Sequence, residues 1–108
     1  MSADALGAER AAALAQIEAL TREFDAVVAA SRASNADDEH DPEGATIGFE
    51  RAQLTALLAG ARSRIAEVDD ALRRVDAGTY GVCERCGRPI AQERLVVRPF
   101  ARHCMACA

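Results

Sequence analysis

The last 26 residues of this 108-residue chain hold all four of its cysteines, Cys83, Cys86, Cys104 and Cys107, in the pattern C-x2-C-x17-C-x2-C. Two residues between cysteines let a tight turn aim both sulfurs at one point. Two such turns supply the four thiolates of a closed tetrahedral zinc site. Gly87, directly after the first pair, suits a turn that needs positive φ or close backbone approach to a sulfur. Ile90, Leu95, Val97 and Phe100 are the apolar anchors between the pairs, too few to fold the segment unaided. The metal has to supply the rest, and structural zinc contributes on the order of 10–16 kcal/mol of apparent binding free energy at neutral pH.

With all four positions taken by thiolate, no coordination site is open to a substrate, which disfavours catalysis by the metal and points away from an enzyme. Iron also suits four thiolates. His103, beside Cys104, is a spare candidate ligand. A thioredoxin-type redox motif would need a single CxxC in a βαβ setting, and here two pairs follow a helical stretch.

The formal net charge of -4 conceals a division: residues 1–50 carry 3 Arg against 11 Asp plus Glu, and residues 51–108 carry 10 Arg against 6. A globally basic nucleic-acid binder is disfavoured, as is sequence-specific DNA recognition. No apolar run approaches the roughly 20 residues of a membrane span, and the N-terminus lacks the basic and apolar regions of an export signal. The expectation is a soluble, cytoplasmic protein, in a reducing compartment where paired cysteines hold metal or do redox work. Arg85, Arg88, Arg94, Arg98 and Arg102 decorate the cysteine segment, read either as solvated charge offsetting the thiolates or as a binding patch.

Before the cysteines, helix propensity is high. Residues 4–34 are rich in Ala, Leu, Glu and Arg and lack proline, and Leu6, Ala13, Ile17, Leu20, Phe24 and Val27 form a heptad-like stripe that only Arg10 interrupts. Residues 35–44 hold five carboxylates, Asp37, Asp38, Glu39, Asp41 and Glu43, with Pro42 and Gly44, and read as an acidic loop. Asp41 as N-cap and Pro42 as first helical residue start a second helix, and Gly78 closes it. Leu54, Leu58, Ala61, Ile65, Val68, Leu72 and Val75 form its stripe. The predicted fold is mainly α: an antiparallel two-helix coiled-coil hairpin over residues 1–78, about 45–55 Å long, with the acidic tip at 35–44, followed by a small four-cysteine zinc finger over 79–108. An alanine-diluted, two-stranded seam invites support from self-association or from the terminal module.

Tyr80-Gly81-Val82-Cys83-Glu84-Arg85-Cys86-Gly87, then Ile90, Arg94-Leu95, Pro99 and Cys104-x-x-Cys107, closely resemble the C4 zinc finger of the DksA/TraR family. The preceding hairpin with an acidic tip resembles the larger members. The resemblance implies a non-enzymatic transcription regulator that binds RNA polymerase rather than a DNA sequence. Its coiled coil would enter the polymerase secondary channel and bring Asp37, Asp38, Glu39, Asp41 and Glu43 near the active centre, often together with ppGpp. A negative tip would be drawn into a basic channel, with steering that weakens as salt rises. The family's tip signature Asp-x-x-Asp-x-Ala is only partly matched: Gly44 and Thr46 follow Asp41 where acid and Ala belong. The alternative is a structural adaptor whose coiled coil pairs with itself or another helical protein, without acting on polymerase.

Overall fold

The computed structural model describes residues 3–34 and 42–108, with side chains described for residues 3–33 and 46–108. Among the described residues three helices follow one another: α1 (Ala3–Ser34), α2 (Pro42–Ala77) and the short α3 (Gln92–Val97). Among the described residues there is no sheet beyond one isolated antiparallel bridge, Val82 with Pro89. No helix is long and apolar enough to cross a membrane. The architecture is the expected one, two long helices followed by a cysteine module. α3 is an addition to it.

Two compact units divide the chain: Ala13–Ser63 forms one, and Met1–Ala12 with Arg64–Ala108 forms the other. In the Ala13–Ser63 unit the core is Leu20 with Leu54 and Leu58, flanked by half-buried Ile17, Phe24 and Val27. These are the residues of the heptad-like stripes, and each stripe buries itself against the other because neither helix offers a second apolar face. Ala13 and Ala61 are also buried. A two-stranded seam covers little else: Leu14 and Leu57, just beside the stripes, stay exposed.

In the second unit Leu6, Val68 and Ala71 are fully buried, and Leu72, Val75, Tyr80 and Phe100 pack against them. The N-terminal turns of α1 thus meet the C-terminal turns of α2, the antiparallel sense. Arg10, the interruption in the α1 stripe, extends to Asp69, with Nε donating to the carboxylate at 2.6 Å. Glu9 accepts two hydrogen bonds from Arg64 of α2. A charge at a seam position is thus accommodated by a partner across the seam rather than by burial. The Arg10 guanidinium holds the Asp69 carboxyl below the usual carboxylate range, chiefly through that hydrogen bond. The depressed value means the pair stabilises the fold at neutral pH and loses its contribution as pH falls through the Asp69 titration.

The end of α2 follows from Gly78. At φ +76° it occupies the left-handed region, its N–H donates to Val75 C=O at 3.1 Å and the next N–H, of Thr79, donates to Arg74 C=O at 2.8 Å. This pair of bonds is the Schellman arrangement, which satisfies the helix's last carbonyls and turns the chain back. Thr79 Oγ1 adds a longer bond to the same Arg74 carbonyl. Tyr80 is thereby delivered against α2, with its ring 5.7 Å from the Arg74 guanidinium carbon.

Two glycine substitutions should therefore act in opposite directions. Gly60 lies inside α2 with open space where a Cβ would go, so Gly60→Ala is expected to stabilise the chain by about 1 kcal/mol. Gly78→Ala meets no steric obstacle either, but its positive φ costs a β-carbon about 1–2 kcal/mol. Urea unfolding followed by circular dichroism measures both; equal behaviour of the two variants would contradict this account of the cap.

Candidate metal centre

The first cysteine pair sits on a tight backbone loop. Cys83 N–H donates to Arg88 C=O at 2.8 Å, Gly87 N–H returns to Cys83 C=O at 2.9 Å, and Ile90 N–H donates to Gly81 C=O at 2.7 Å. The Val82–Pro89 bridge lies between these bonds. Gly87 at φ +74° makes the reversal, as its place after the second cysteine suggested. In the second pair, Cys107 N–H donates to Cys104 C=O at 3.0 Å. The two loops are tied by one backbone bond, Glu84 N–H to Arg102 C=O at 2.9 Å.

α3 supports the second loop. Its Leu95 points inward to join Cys83 and Ile90 in a small buried core, against which Tyr80, Ala101, Cys104 and Cys107 pack. Val97, expected among the apolar anchors, instead faces solvent at 79% exposure, because α3 turns only one residue of its Leu95-Val96-Val97 run inward. Phe100 anchors a different place: it packs on the Leu6–Val68–Ala71 cluster, with the Arg64 guanidinium carbon 5.5 Å from its ring centroid. Tyr80 donates its hydroxyl to Pro99 C=O at 2.9 Å.

The result is a convergence of sulfur. The Sγ atoms of Cys83, Cys86, Cys104 and Cys107 all lie within 4.8 Å of one another, and Cys86 Sγ is 3.7 Å from Cys104 Sγ. Tetrahedral zinc with Zn–S bonds of about 2.3 Å would space its sulfurs at about 3.8 Å, so the arrangement fits one such ion. Among the described residues this is the one group of three or more potential ligands that comes together. His103 is not part of it; its carbonyl accepts a hydrogen bond from Arg94 Nε at 2.9 Å.

The thiols are unlike one another. Backbone N–H groups, that of Cys104 first and those of Cys86 and Arg85 after it, hold the Cys83 thiol down to about 6 against the opposing effect of burial. Hydrogen bonding with the Cys104 thiol pushes Cys107 up to about 12. A cation held by the four sulfurs needs all of them as thiolates. Metal binding then releases protons.

The arginines divide by role. Arg94 grips both sides of Cys104, through the His103 carbonyl and through Met105 Sδ at 3.3 Å. Arg102 donates to Glu84 at 3.0 Å and to Asp70 of α2. Arg85, Arg88 and Arg98 are exposed and enter no ion pair among the described residues. Neither Arg94 nor Arg102 was distinguishable in sequence from its solvated neighbours, and the one available signal was the Arg94-Leu95 pair of the family resemblance. Of the acidic tip candidates, Asp37, Asp38, Glu39 and Asp41 lie outside the described residues; Glu43 falls in the first turn of α2, its side chain likewise outside them.

Comparison with known proteins agrees with this geometry. The family model of the prokaryotic dksA/traR C4-type zinc finger matches residues 78–108. An uncharacterised protein of Aquifex aeolicus (strain VF5) is 48% identical over 44 residues, covering 41% of this chain and 30% of that protein. The RNA polymerase-binding transcription factor DksA of Caulobacter vibrioides is 52% identical over 40 residues, covering 37% of this chain and 28% of that protein. The chain thus spans about a third or less of the length of these two relatives. The solved structure of transcription factor DksA2 from Pseudomonas aeruginosa superposes with a TM-score of 0.58 at 26% identity, over 94% of this chain and 78% of that one.

Metal analysis of the purified chain is expected to give one zinc per molecule. Each single Cys→Ser change at 83, 86, 104 or 107 should abolish the tetrathiolate absorption of the cobalt-substituted protein. Zinc retention should also fall as pH is lowered, because protons compete with the metal for thiolate. Retention of the cobalt spectrum in any of the four variants would remove that cysteine from the ligand set.

Proposed function

As a protein of the DksA/TraR C4 zinc-finger family, this chain is one that we propose binds RNA polymerase and regulates transcription. The observation that carries the reading is the combination of a sulfur cluster inside a finger of this family with a paired-helix element that superposes on DksA2 over most of the chain. In this proposal residues 79–108 are the finger, and Cys83, Cys86, Cys104 and Cys107 hold one structural zinc. When bound, the zinc supplies a fourfold crosslink and no reactive site. Residues 1–78 present the acidic segment Asp37, Asp38, Glu39, Asp41 and Glu43 to the polymerase through its secondary channel.

The physical basis of that last step is charge. The N-terminal half carries 11 acids against 3 arginines, and five of the acids fall within residues 35–44. Such a segment is attracted to a basic channel and to catalytic magnesium over roughly a Debye length, about 8 Å at physiological ionic strength. The finger's contribution is mechanical: through Tyr80, Phe100 and Arg102 it packs on the ends of the two helices within its own unit. No chemistry on a substrate is required of it.

The test is association with purified core RNA polymerase at low and high salt, followed by transcription assays with and without ppGpp. Binding should be evident at low salt and weaken as salt rises. Asp38→Asn with Asp41→Asn should reduce the effect on transcription severalfold while leaving zinc content unchanged. Absence of binding at low salt would reject the proposal, and a dimer that ignores polymerase would fit the adaptor reading instead.

A further inference from the structure

Arg102 lies two residues before Cys104 and is bound twice to the residue that follows Cys83. Its carbonyl accepts the Glu84 N–H at 2.9 Å, and its guanidinium donates to the Glu84 carboxylate at 3.0 Å. The first cysteine loop is therefore held by the chain that enters the second, at backbone and side chain alike. The other terminal nitrogen of the same guanidinium donates to Asp70 on α2.

Asp70 is a point of convergence. Three of the six ion pairs among the described residues end on its carboxylate: Arg102, Arg74 at 3.2 Å and Arg73 at 3.6 Å. Arg74 and Arg73 belong to α2 itself and fix the carboxylate on the helix surface. Arg102 alone reaches it from the finger. An isolated exposed pair contributes little to stability. A planar guanidinium shared between two acids is different, because both bonds form only when the acids stand at one set of positions.

One of those acids, Glu84, sits between the cysteines of the first loop; Arg102 itself leads into the second. The position that satisfies both carboxylates is the one in which the loops are closed on each other, which is also the position that brings the four sulfurs together. We propose that Arg102 is a positioning residue that couples the four-cysteine metal site to α2 through Asp70. Metal binding and docking of the finger on the helix then strengthen each other by the same factor, as thermodynamic linkage requires. This inference rests on the four cysteines holding the metal and is independent of polymerase binding.

The test measures zinc affinity of the full chain by competition with a chromophoric chelator, with far-UV circular dichroism as a check on the helices. Arg102→Gln should weaken zinc binding about tenfold, the lower end for residues that orient a metal site from outside it. Asp70→Asn should weaken it to a similar extent although Asp70 belongs to α2 rather than to the ligand cluster, and the double variant separates a path through Arg102 from one through Arg74 and Tyr80. The double variant should be no weaker than the poorer single one. Arg73→Ala, which removes a partner of Asp70 without reaching the finger, should leave affinity unchanged. Should Arg102→Gln leave the chain unfolded, Glu84→Gln, which removes the other acid that Arg102 holds, takes its place beside Asp70→Asn and should weaken zinc binding likewise. Unchanged zinc affinity in Asp70→Asn overturns the coupling, as does multiplication of the two single effects in the double variant. A wild-type chain that takes up no zinc overturns the metal reading and the coupling with it.

Discussion

In the finger, ligand and core are the same atoms. Its buried cluster is Cys83, Ile90 and Leu95, with Cys104 and Cys107 packed at its edge, so three of the four sulfurs stand where a larger domain would place aliphatic carbon. A cluster of two aliphatic side chains cannot offset the conformational entropy of ordering the segment around it. Convergence of the sulfurs is the constraint on which the remaining contacts depend. It sets Glu84 against Arg102 and carries Pro99 to the Tyr80 hydroxyl. It also places Phe100 on the apolar end formed by Leu6, Val68 and Ala71.

The helices obey a different rule. Each has one stripe to bury and one partner to bury it against, so the seam is thin and its edges remain wet. Alanine at 13, 61 and 71 contributes burial without bulk. Where the stripe is broken, at Arg10, an ion pair to Asp69 takes the place of an apolar contact. Charges of this kind also fix register, since a slip of one residue would separate Arg10 from Asp69 and Glu9 from Arg64 together. Specific pairing is therefore encoded partly in polar residues that add little to overall stability.

Much of this was legible in the sequence because it is local or periodic. The stripes gave both long helices, Pro42 marked the start of α2 and Gly78 its end, and the C-x2-C spacing with Gly87 gave the loops that bring the sulfurs together. What was not legible depends on residues far apart in the chain. Arg94, Arg102, Arg85, Arg88 and Arg98 look alike in sequence; two are separated from the others only by acceptors at His103, Met105, Glu84 and Asp70. Val97 and Leu95 are equally apolar, and the short α3 decides which is buried. Tyr80 and Phe100, aromatic residues within a segment rich in arginine, are packing residues for the helix ends.

The antiparallel pairing also governs how a chain like this tolerates insertions and deletions. One residue added within α1 rotates every contact beyond it by about 100° around the helix and moves the stripe away from its partner. Adding a whole heptad to one helix restores the angle but leaves its new apolar residues with nothing opposite them. Length can change without penalty only when both helices gain or lose the same number of heptads. Divergence in helix length is therefore expected in matched steps, whereas the spacing within each cysteine pair has no such freedom.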